Sequence, residues 1–336
     1  MEVKDLKLAM IGVSHWHVPL YFPGLPGGAV KAVSDPDEKI AKSFAERLSC
    51  RCYTDWRALL DAERPDFVFA FAPHCEMKDM ALELIRRGIP FAMEKPMGLD
   101  AEETAEVERA AERAGVFCAI PFVWRWSDTV NRLKDSLLSG KIRHMSFRFI
   151  AGPPSRYLAT SRWMLSRKTA GGGCMTNLGV HFIDMALYLA GAESAEVLAS
   201  AYQYGGEYDI ETYASSLLRL DTGTSLSLET GYAYPMDEEL KRENRWTIVT
   251  DNGYYTLAEN CLEAREFGKE PVKIPLSTDS DVYYPIFAAA TLEDFAAGRR
   301  PRASLKEMLV TRRILDRMNE SAGTVLSDSF SGHVTD

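Results

Sequence analysis

A charged pair, Glu94 and Lys95, follows a short apolar run at residues 90–93 and stands directly before Pro96. The run has the length and composition of a buried strand, and a proline restricts the backbone at its own position and at the residue before it. A lysine held in this way at the end of a strand can present its ammonium to a bound molecule in one place. The alternative is a surface ion pair between Lys95 and Glu94.

A second candidate for proton transfer lies in the segment GGGCMTNLGVHFID, which begins at Gly171. Asn177 and His181 are four residues apart, so they share a face where the segment is helical. An imidazole gains and loses a proton near neutral pH, which makes His181 a candidate general base. The three glycines before the helix are expected to let backbone pass close to a substrate. The alternative for His181 is a core histidine, because its neighbours are apolar.

The sequence IGVSHWH follows the first predicted strand, where a dinucleotide-binding fold carries a G-x-G-x-x-G fingerprint. Gly12 fits the tight turn, whereas Ser14 and His17 occupy the second and third glycine positions. Asp35 ends the second predicted strand. A carboxylate there accepts hydrogen bonds from the ribose hydroxyls of NAD and repels the additional phosphate of NADP.

NAD is therefore the predicted cofactor, with NADP as the alternative because Ser34 and Lys39 could accommodate its phosphate. Ligands of open parallel sheets bind at the carboxyl ends of the strands, so the predicted cofactor contacts are the residues that follow four of these strands. They are Gly12, Ser14, His15, Trp16, His17, Asp35, Ala72, Pro73, His74, Glu94, Lys95 and Pro96.

Residues 1–122 alternate continuous apolar runs with amphipathic helical patterns, which lie at residues 37–48, 77–87 and 101–114. Unbroken apolar strands separated by helices predict a parallel sheet covered on both faces. The predicted fold class is therefore α/β, and this first part is a Rossmann domain with a doubly wound sheet.

Residues 123–336 are predicted to form a second, substrate-binding domain of α+β type. A helix at residues 127–139 and a strand at 143–151 precede the glycine-rich segment. Strands then follow one another without helices between them, which predicts a large, mostly antiparallel sheet; they lie at residues 197–204, 212–220, 225–232 and 245–250. Two helices, near residues 287–297 and 304–321, end the pattern.

Glu94-Lys95-Pro96 and the segment GGGCMTNLGVHFID together resemble the motifs of the glucose–fructose oxidoreductase / inositol dehydrogenase (Gfo/Idh/MocA) family, and the resemblance extends over nearly the whole chain. It implies a Rossmann domain followed by a domain whose open sheet often forms dimers or tetramers. It also implies hydride transfer between NAD or NADP and a hydroxyl carbon of a sugar, inositol or related polyol.

By this resemblance Lys95 and His181 are the catalytic lysine and histidine. Asn177 replaces the family's usual aspartate, which is a departure, and Met77 stands where many relatives have a histidine. His181 is expected to accept the hydroxyl proton, and the Lys95 ammonium to stabilise the developing alkoxide. Because Asn177 carries no charge, we expect His181 to hold its proton less tightly than in relatives with aspartate.

Residues 136–183 contain no Asp or Glu, although the chain has 48 acidic residues in 336. Four arginines in or near this stretch are candidates for binding a carboxylate or phosphate on the substrate: Arg125, Arg156, Arg162 and Arg167. The alternative is a basic surface that faces solvent or another subunit. The predicted substrate contacts are Trp124, Arg125, Arg156, Trp163, Asn177 and His181, with the tryptophans offering flat faces to a sugar ring.

Composition limits the other functions. A net charge of −9 argues against nucleic-acid binding, and no apolar run is long enough to cross a membrane. The six cysteines are scattered, which is typical of a reduced, cytoplasmic protein, and no metal is predicted because the Cys50/Cys52 pair has no partner at metal-ligand spacing.

Two other functions stay open alongside dehydrogenation. One is redox-assisted bond cleavage with a tightly bound cofactor, and the other is a non-catalytic sensor that binds NAD.

Overall fold

The computed structural model describes residues 2–205, 207–235 and 242–329. Its first sheet has six strands, and every pair is parallel. They are β1 (Leu8–Ile11), β2 (Val30–Ser34), β3 (Arg51–Tyr53), β4 (Phe67–Ala70), β5 (Phe91–Met93) and β6 (Cys118–Ala119). The strand order β3-β2-β1-β4-β5-β6 is that of a doubly wound Rossmann sheet, as predicted.

Five helices accompany this sheet. They are α1 (Val18–Tyr21), α2 (Glu38–Leu48), α3 (Trp56–Glu63), α4 (His74–Arg86) and α5 (Ala101–Ala114). The side chains of Asp37, Asp55 and Asp100 accept backbone N–H groups at the starts of α2, α3 and α5, so the sequence marks these helix starts by caps. Strands β1, β4 and β5 are buried along their whole length, as expected for a sheet covered on both faces.

The second sheet has eight strands. They are β7 (Ile142–Ala151), β8 (Ala195–Tyr204), β9 (Glu211–Leu220), β10 (Ser225–Tyr232), β11 (Arg242–Thr250), β12 (Gly253–Ala258), β13 (Cys261–Glu266) and β14 (Val272–Pro275). Their order is β14-β13-β12-β11-β7-β10-β9-β8. Only β7 and β10 pair in parallel, so the predicted, mostly antiparallel sheet is confirmed.

The helices of this second part complete the fold. They are α6 (Asp128–Arg132), α7 (Arg167–Ala170), α8 (Val180–Ala190), α9 (Tyr284–Ala296) and α10 (Leu305–Ser329). A single π-helical turn, Met175–Gly179, leads into α8, and this turn and α8 pack against β10 and β7. No helix in the described part of the chain is long and apolar enough to cross a membrane.

Sequence reasoning missed seven short elements, among them the four-residue helices α1 and α7, and misplaced one helix. β3, α3 and the hairpin strands β12 to β14 have few consecutive apolar residues, so their pattern is weak. The predicted helix at residues 127–139 is α6 followed by a π-helical turn at Leu133–Leu137. Helix α4 begins at His74, directly after Pro73 and three residues earlier than predicted.

The two closing helices pack back on the first domain. On α9, the Phe295 ring lies 5.4 Å from that of Phe67 on β4, and the backbone N–H of Ala101 donates to Asp316 of α10. The predicted division at residues 122/123 stays a prediction. Wherever the domain boundary is placed, α9 and α10 contact the first domain.

Arg125, predicted to contact the substrate, forms a buried ion pair instead. Its Nε and Nη2 donate to the two carboxylate oxygens of Asp184 on α8 over 3.0 and 2.7 Å, and its Nη1 donates to the Arg302 carbonyl. This bidentate contact is a favourable hydrogen-bonding geometry between a guanidinium and a carboxylate. Because these donors are engaged inside the protein, they are not free to bind a substrate.

Replacing Asp184 by leucine is expected to lower the free energy of unfolding by about 3–5 kcal/mol, because it leaves the Arg125 guanidinium buried without its carboxylate. Denaturant unfolding followed by circular dichroism measures the change. The matched control is the double variant Arg125→Met/Asp184→Leu, which should regain most of the lost stability. A single variant as stable as the wild type would contradict a structural role for the pair.

Candidate active site

A cleft of about 380 Å³ lies between the two domains, within the range of small-molecule sites. Both domains supply its walls. The residues that matter for chemistry are Trp16, His17 and Lys95 from the first domain and Arg156, Tyr157, Asn177, His181, Arg242, Asp281 and Tyr284 from the second.

Lys95 reaches this cleft from the end of β5 and is only 4% exposed. Its Nζ donates to the backbone carbonyl of Asn177 over 2.9 Å and to the side-chain Oδ1 of Asn177 over 3.2 Å. Burial lowers the pKa of Lys95 from 10.5 to about 8, and the nearby Glu94 charge opposes that shift. Lys95 is therefore an ammonium at neutral pH, but one that titrates within the working range of an enzyme. The surface ion pair with Glu94 is excluded as its main contact.

Asn177 is the second-domain partner of this ammonium. It lies in the π-helical turn before α8, and its Nδ2 donates to the hydroxyl groups of Tyr157 and Tyr232 over 2.9 and 3.0 Å. With Oδ1 accepting from Lys95, every polar atom of the amide is engaged. An aspartate could accept a hydrogen bond from Lys95 but could not donate to the tyrosine hydroxyls. Asparagine does both, because its side chain has one acceptor oxygen and one donor nitrogen.

His181 lines the same cleft from the first turn of α8. Burial lowers its pKa well below 6.5, and the positive charge of Lys95 lowers it further, so the ring is neutral at pH 7. Its Nδ1 is buried and has no hydrogen-bond partner among the described residues. A neutral imidazole with an unused nitrogen beside an ammonium can accept a proton from a hydroxyl that the ammonium polarises.

Glu94 anchors the first-domain side of the site. Its Oε1 accepts from the Tyr21 hydroxyl over 2.7 Å and lies 3.1 Å from Nδ1 of His17, whose Nε2 is 3.4 Å from the hydroxyl of Tyr284. Burial by itself raises the pKa of the Glu94 carboxyl, but the contacts with His17, His15 and Lys95 bring it well below the ordinary range. Glu94 is thus a carboxylate that holds His17 in place.

His15, His17 and Glu94 place their ligand-type atoms within 4.8 Å of one another. Hydrogen bonds account for this cluster: His15 Nδ1 accepts the backbone N–H of His17, and Glu94 bonds to His17 and Tyr21. We therefore interpret the cluster as a hydrogen-bonded network, and the absence of a metal stays a prediction.

The residues that fit a dinucleotide follow neighbouring strands at one edge of the first sheet. Ile11 pairs with Ser34 and with Ala70, and Ala70 pairs with Met93, so the segments after β1, β2, β4 and β5 start side by side. Gly12 has a φ of +75°, and a Cβ there would lie 2.0 Å from the Phe71 carbonyl oxygen, so only glycine fits this turn.

Asp35 is buried at the end of β2, where its oxygens accept the backbone N–H groups of Ser14 and Asp37 over 2.7 and 3.1 Å. A carboxylate fixed at this position suits the ribose hydroxyls of NAD. The hydroxyl of Ser34 is also buried, so it is not free at the surface to bind the phosphate of NADP. The residues present therefore fit NAD, although Ser14 and His17 replace two fingerprint glycines.

The other predicted cofactor residues surround this edge. Trp16 stacks on His15 with ring centroids 3.9 Å apart and lines the cleft. Ala72 and Pro73 lie between β4 and α4, and Pro96 follows Lys95.

His74 and Trp163 take structural positions instead of the predicted ligand contacts. The His74 Nδ1 donates to the Ala170 carbonyl over 2.7 Å, and burial lowers the pKa of His74 to about 3, so the ring is a neutral donor. The Trp163 ring covers His74 at 4.8 Å and does not line the cleft. Both residues tie the first domain to the second, because Ala170 and Trp163 belong to the second domain and His74 to the first.

The remaining predicted substrate residues divide by position. Trp124 lines the cleft while its ring packs against Trp246 at 4.8 Å, and Arg156 also lines the cleft. Arg162 and Arg167 are exposed and lie outside it. The basic stretch therefore contributes one arginine to the site.

Two of the three glycines make close contacts within the second domain. A Cβ on Gly173 would lie 2.0 Å from the carbonyl oxygen of Glu211 on β9, and one on Gly172 would lie 2.2 Å from the Thr176 hydroxyl. The predicted approach of this backbone to a substrate stays a prediction. The buried Glu211 carboxylate accepts the Met175 N–H, which fixes the turn that carries Asn177.

Sequence reasoning missed the roles of Tyr157, Tyr232, Tyr284 and Glu211. Each lies far in sequence from the residue it holds, and none is in a recognisable motif. The available sequence signal was position: Tyr232 is the last residue of β10 and Tyr284 is the first residue of α9.

The fold and this site together define a two-domain oxidoreductase with an NAD-binding Rossmann domain. Residues 6–122 match the family model described as oxidoreductase family, NAD-binding Rossmann fold, and residues 128–256 match that of the GFO/IDH/MocA C-terminal domain. The chain belongs to the GFO/IDH/MocA oxidoreductase family, as its motifs indicated.

Two curated relatives cover most of the chain. It is 23% identical over 256 residues to scyllo-inositol 2-dehydrogenase (NAD(+)) of Bacillus subtilis (strain 168), which covers 72% of this chain and 71% of the relative. It is 25% identical over 285 residues to the rhizopine catabolism protein MocA of Rhizobium meliloti, covering 82% and 81%.

The fold is also that of known structures. An oxidoreductase from Agrobacterium radiobacter, in complex with NAD+, L-tartaric acid and magnesium, superimposes with a TM-score of 0.83 at 17% identity, covering 96% of this chain and 97% of that one.

The Lys95 pKa gives a pH prediction. If the ammonium is the active form, kcat/KM should fall as the pH rises through about 8, and no acid limb should appear near 6.5 because the pKa of His181 lies well below that value. In Asn177→Asp the added carboxylate should raise the Lys95 pKa and move the alkaline limb upward by roughly 1–3 pH units.

Steady-state kinetics across pH test this, with Asn252→Asp as the control because Asn252 is exposed and outside the cleft. The control should leave the limb where it is in the wild type. Identical profiles for the wild type and Asn177→Asp would contradict the assigned contact.

Proposed function

We propose that the protein is an NAD-dependent dehydrogenase that moves a hydride between the cofactor and a ring hydroxyl or keto carbon of a sugar, inositol or related polyol. The observation that carries this proposal is the meeting of the Lys95 ammonium and the neutral His181 imidazole in one cleft beside the Rossmann edge. That pairing is what oxidation of a carbinol requires.

The residues have separate tasks in this reaction. Lys95 uses two of its N–H groups on Asn177, so a third is free for the substrate oxygen, where it favours the developing alkoxide. His181 accepts the hydroxyl proton and, being partly exposed to the cleft, can pass it to water. Asn177 positions the ammonium through its hydrogen bonds to Tyr157 and Tyr232.

The cofactor contributes one thing that the chain cannot supply. Bound NAD is the hydride acceptor in the oxidation direction, and it returns the hydride in reduction. The residues that would hold it are Gly12 and Asp35 at the nucleotide end and the segment around Lys95 at the reactive end. We infer a preference for NAD over NADP because the Asp35 carboxylate would repel the additional phosphate of NADP.

The walls of the cleft suit a polyol ring. Trp16 and Trp124 offer aromatic surface to its C–H side, while Tyr157, Asp281 and Tyr284 offer groups that hydrogen-bond hydroxyls. Neither curated relative described above is named as a lyase or a sensor, so bond cleavage and non-catalytic sensing are the less favoured functions. Release of NADH distinguishes a dehydrogenase from both alternatives, because neither of them releases it.

A screen of neutral sugars, inositols and uronates with NAD, following NADH absorbance, is the direct test. A substrate should give NADH in stoichiometric amount. Replacing Lys95 by methionine should lower kcat by on the order of 10²–10⁴-fold, because the charge that stabilises the alkoxide is lost. The thermal shift caused by NAD should persist in this variant.

Two results would contradict the proposal. One is full activity in Lys95→Met. The other is turnover without net NADH, which would indicate the bond-cleavage alternative.

We also infer a homodimer or homotetramer that forms through the outer face of the second sheet, and a cytoplasmic location without nucleic-acid or membrane partners. The described cysteines are all unpaired thiols, which suits a reducing compartment. Across β9, β10, β7 and β11 the outer face presents a row of small, uncharged side chains: Leu217, Ser227, Ser146 and Thr247. Leu198 and Leu217 are both 40% exposed there. A flat face of this kind can pack against a second copy.

Leu217→Asp is expected to shift the protein toward monomer in size-exclusion chromatography with light scattering, because it places a charge at the centre of that face. Ile286→Asp is the matched control, since Ile286 is 46% exposed on α9, away from the sheet. An unchanged assembly in Leu217→Asp, or a monomeric wild type, would contradict the inferred interface.

A further inference from the structure

We propose that the substrate carries a carboxylate, as in a sugar acid, and that Arg156 binds it. The inference rests on the proposed function, because it names the substrate class of the same cleft. Its basis is a charge balance among the residues that line the cleft.

The other cations of the cleft are neutralised or engaged. Arg242 donates to Asp279 and Asp281 over 3.1 and 2.9 Å. Lys95 donates to Asn177 and lies beside the Glu94 carboxylate. Asp281, already paired with Arg242, is the one carboxylate among the described residues that line the cleft.

Arg156 has no such partner. Within the described part of the chain its guanidinium forms no ion pair, and its Nε is buried without a hydrogen-bond partner. Its Nη2 donates a hydrogen bond to the Tyr157 hydroxyl, and its guanidinium carbon lies 4.6 and 5.2 Å from the ring centroids of Tyr157 and Tyr232. A buried N–H without an acceptor is costly, and a bound anion would remove that cost.

The arginines of the same acid-free stretch that lie on the second sheet differ. Arg143 pairs with Asp251, and Arg148 lies 3.4 and 3.5 Å from Glu229 and Glu243. Carboxylates from neighbouring strands and turns therefore compensate them. Among the described residues that line the cleft, Arg156 is the cation without a compensating carboxylate, which distinguishes it from these structural arginines.

The position of Arg156 is fixed relative to the reacting centre. Its Nη2 and the Nδ2 of Asn177 both donate to the Tyr157 hydroxyl, over 2.5 and 2.9 Å, and Asn177 accepts from Lys95. Three hydrogen bonds thus connect the guanidinium to the ammonium. Because Arg156 and Lys95 line the same cleft, one small ligand can contact both of them.

A carboxylate fits this place better than a phosphate. One uncompensated guanidinium matches one negative charge, and its planar edge can bind the two oxygens of a carboxylate. A phosphate monoester carries nearly two charges and would need a second free cation, which the described cleft residues do not offer.

The test compares matched pairs of substrates, such as glucuronate with glucose and galacturonate with galactose, in the wild type, Arg156→Met and Arg156→Lys. The wild type should favour the acid of the preferred pair in kcat/KM by on the order of 10–100-fold, the value of one charge-assisted hydrogen bond. Arg156→Met should abolish that ratio, chiefly through KM, and Arg156→Lys should keep part of it. Arg162→Met is the control, because Arg162 is exposed outside the cleft, and should keep the full ratio.

Binding is measured separately from turnover. In the Lys95→Met background with NADH, the preferred acid should raise the melting temperature, and adding Arg156→Met should remove that rise. A neutral sugar oxidised as well as its acid, with the same ratio in Arg156→Met, would overturn the carboxylate inference and leave the dehydrogenase proposal standing. Preference for a sugar phosphate would overturn it equally. Failure of every compound to give NADH, with no acid shifting the melting temperature, would count against both.

Discussion

The Lys95 ammonium of the first domain forms hydrogen bonds with Asn177 of the second domain, and the site depends on this contact. It extends from the end of β5 in the Rossmann domain and donates to two oxygens of Asn177 in the second domain. Burial favours loss of its proton by roughly 3 kcal/mol compared with a lysine in water. The Glu94 charge opposes the shift in the Lys95 pKa, and the asparagine oxygens accept hydrogen bonds from the ammonium. Without this contact no ammonium would be held beside Asn177 and His181 in the cleft.

In the second domain, residues that take no direct part in the proposed reaction hold Asn177 in position. Gly173 lets the turn approach β9 closely, and Glu211 accepts a backbone N–H from that turn. Tyr157 and Tyr232 then fix the Asn177 amide from the other side. Because the amide is fully engaged, it offers its oxygen to Lys95 in one orientation. In the first domain Glu94 contacts His17 and Tyr21 in the same way, so hydrogen bonds within the protein hold side chains on both walls of the cleft.

Much of this arrangement could be predicted from short motifs. Buried parallel strands have a strong signal, and their carboxyl ends must lie at one edge, which placed Gly12, Asp35 and Lys95 together. The four-residue spacing placed Asn177 and His181 on one wall. What failed were predictions based on residue type alone. Arg125 and Arg156 look alike in sequence, yet Asp184, far along the chain, makes one of them structural. His74 and Trp163 connect the two domains. Their contacts were also missed because the partners lie far apart in the sequence.

The central claim is that Lys95 is a buried ammonium whose proton is loosely held. Carbon-13 NMR of lysine Cε, with the Lys95 resonance assigned from its absence in Lys95→Met, measures its titration in the intact protein. A midpoint near pH 8 is the expected result, moving upward in Asn177→Asp. A midpoint near 10.5, the ordinary value of an exposed lysine, in both proteins would show that the ammonium is not buried against Asn177 and would contradict the account of the site.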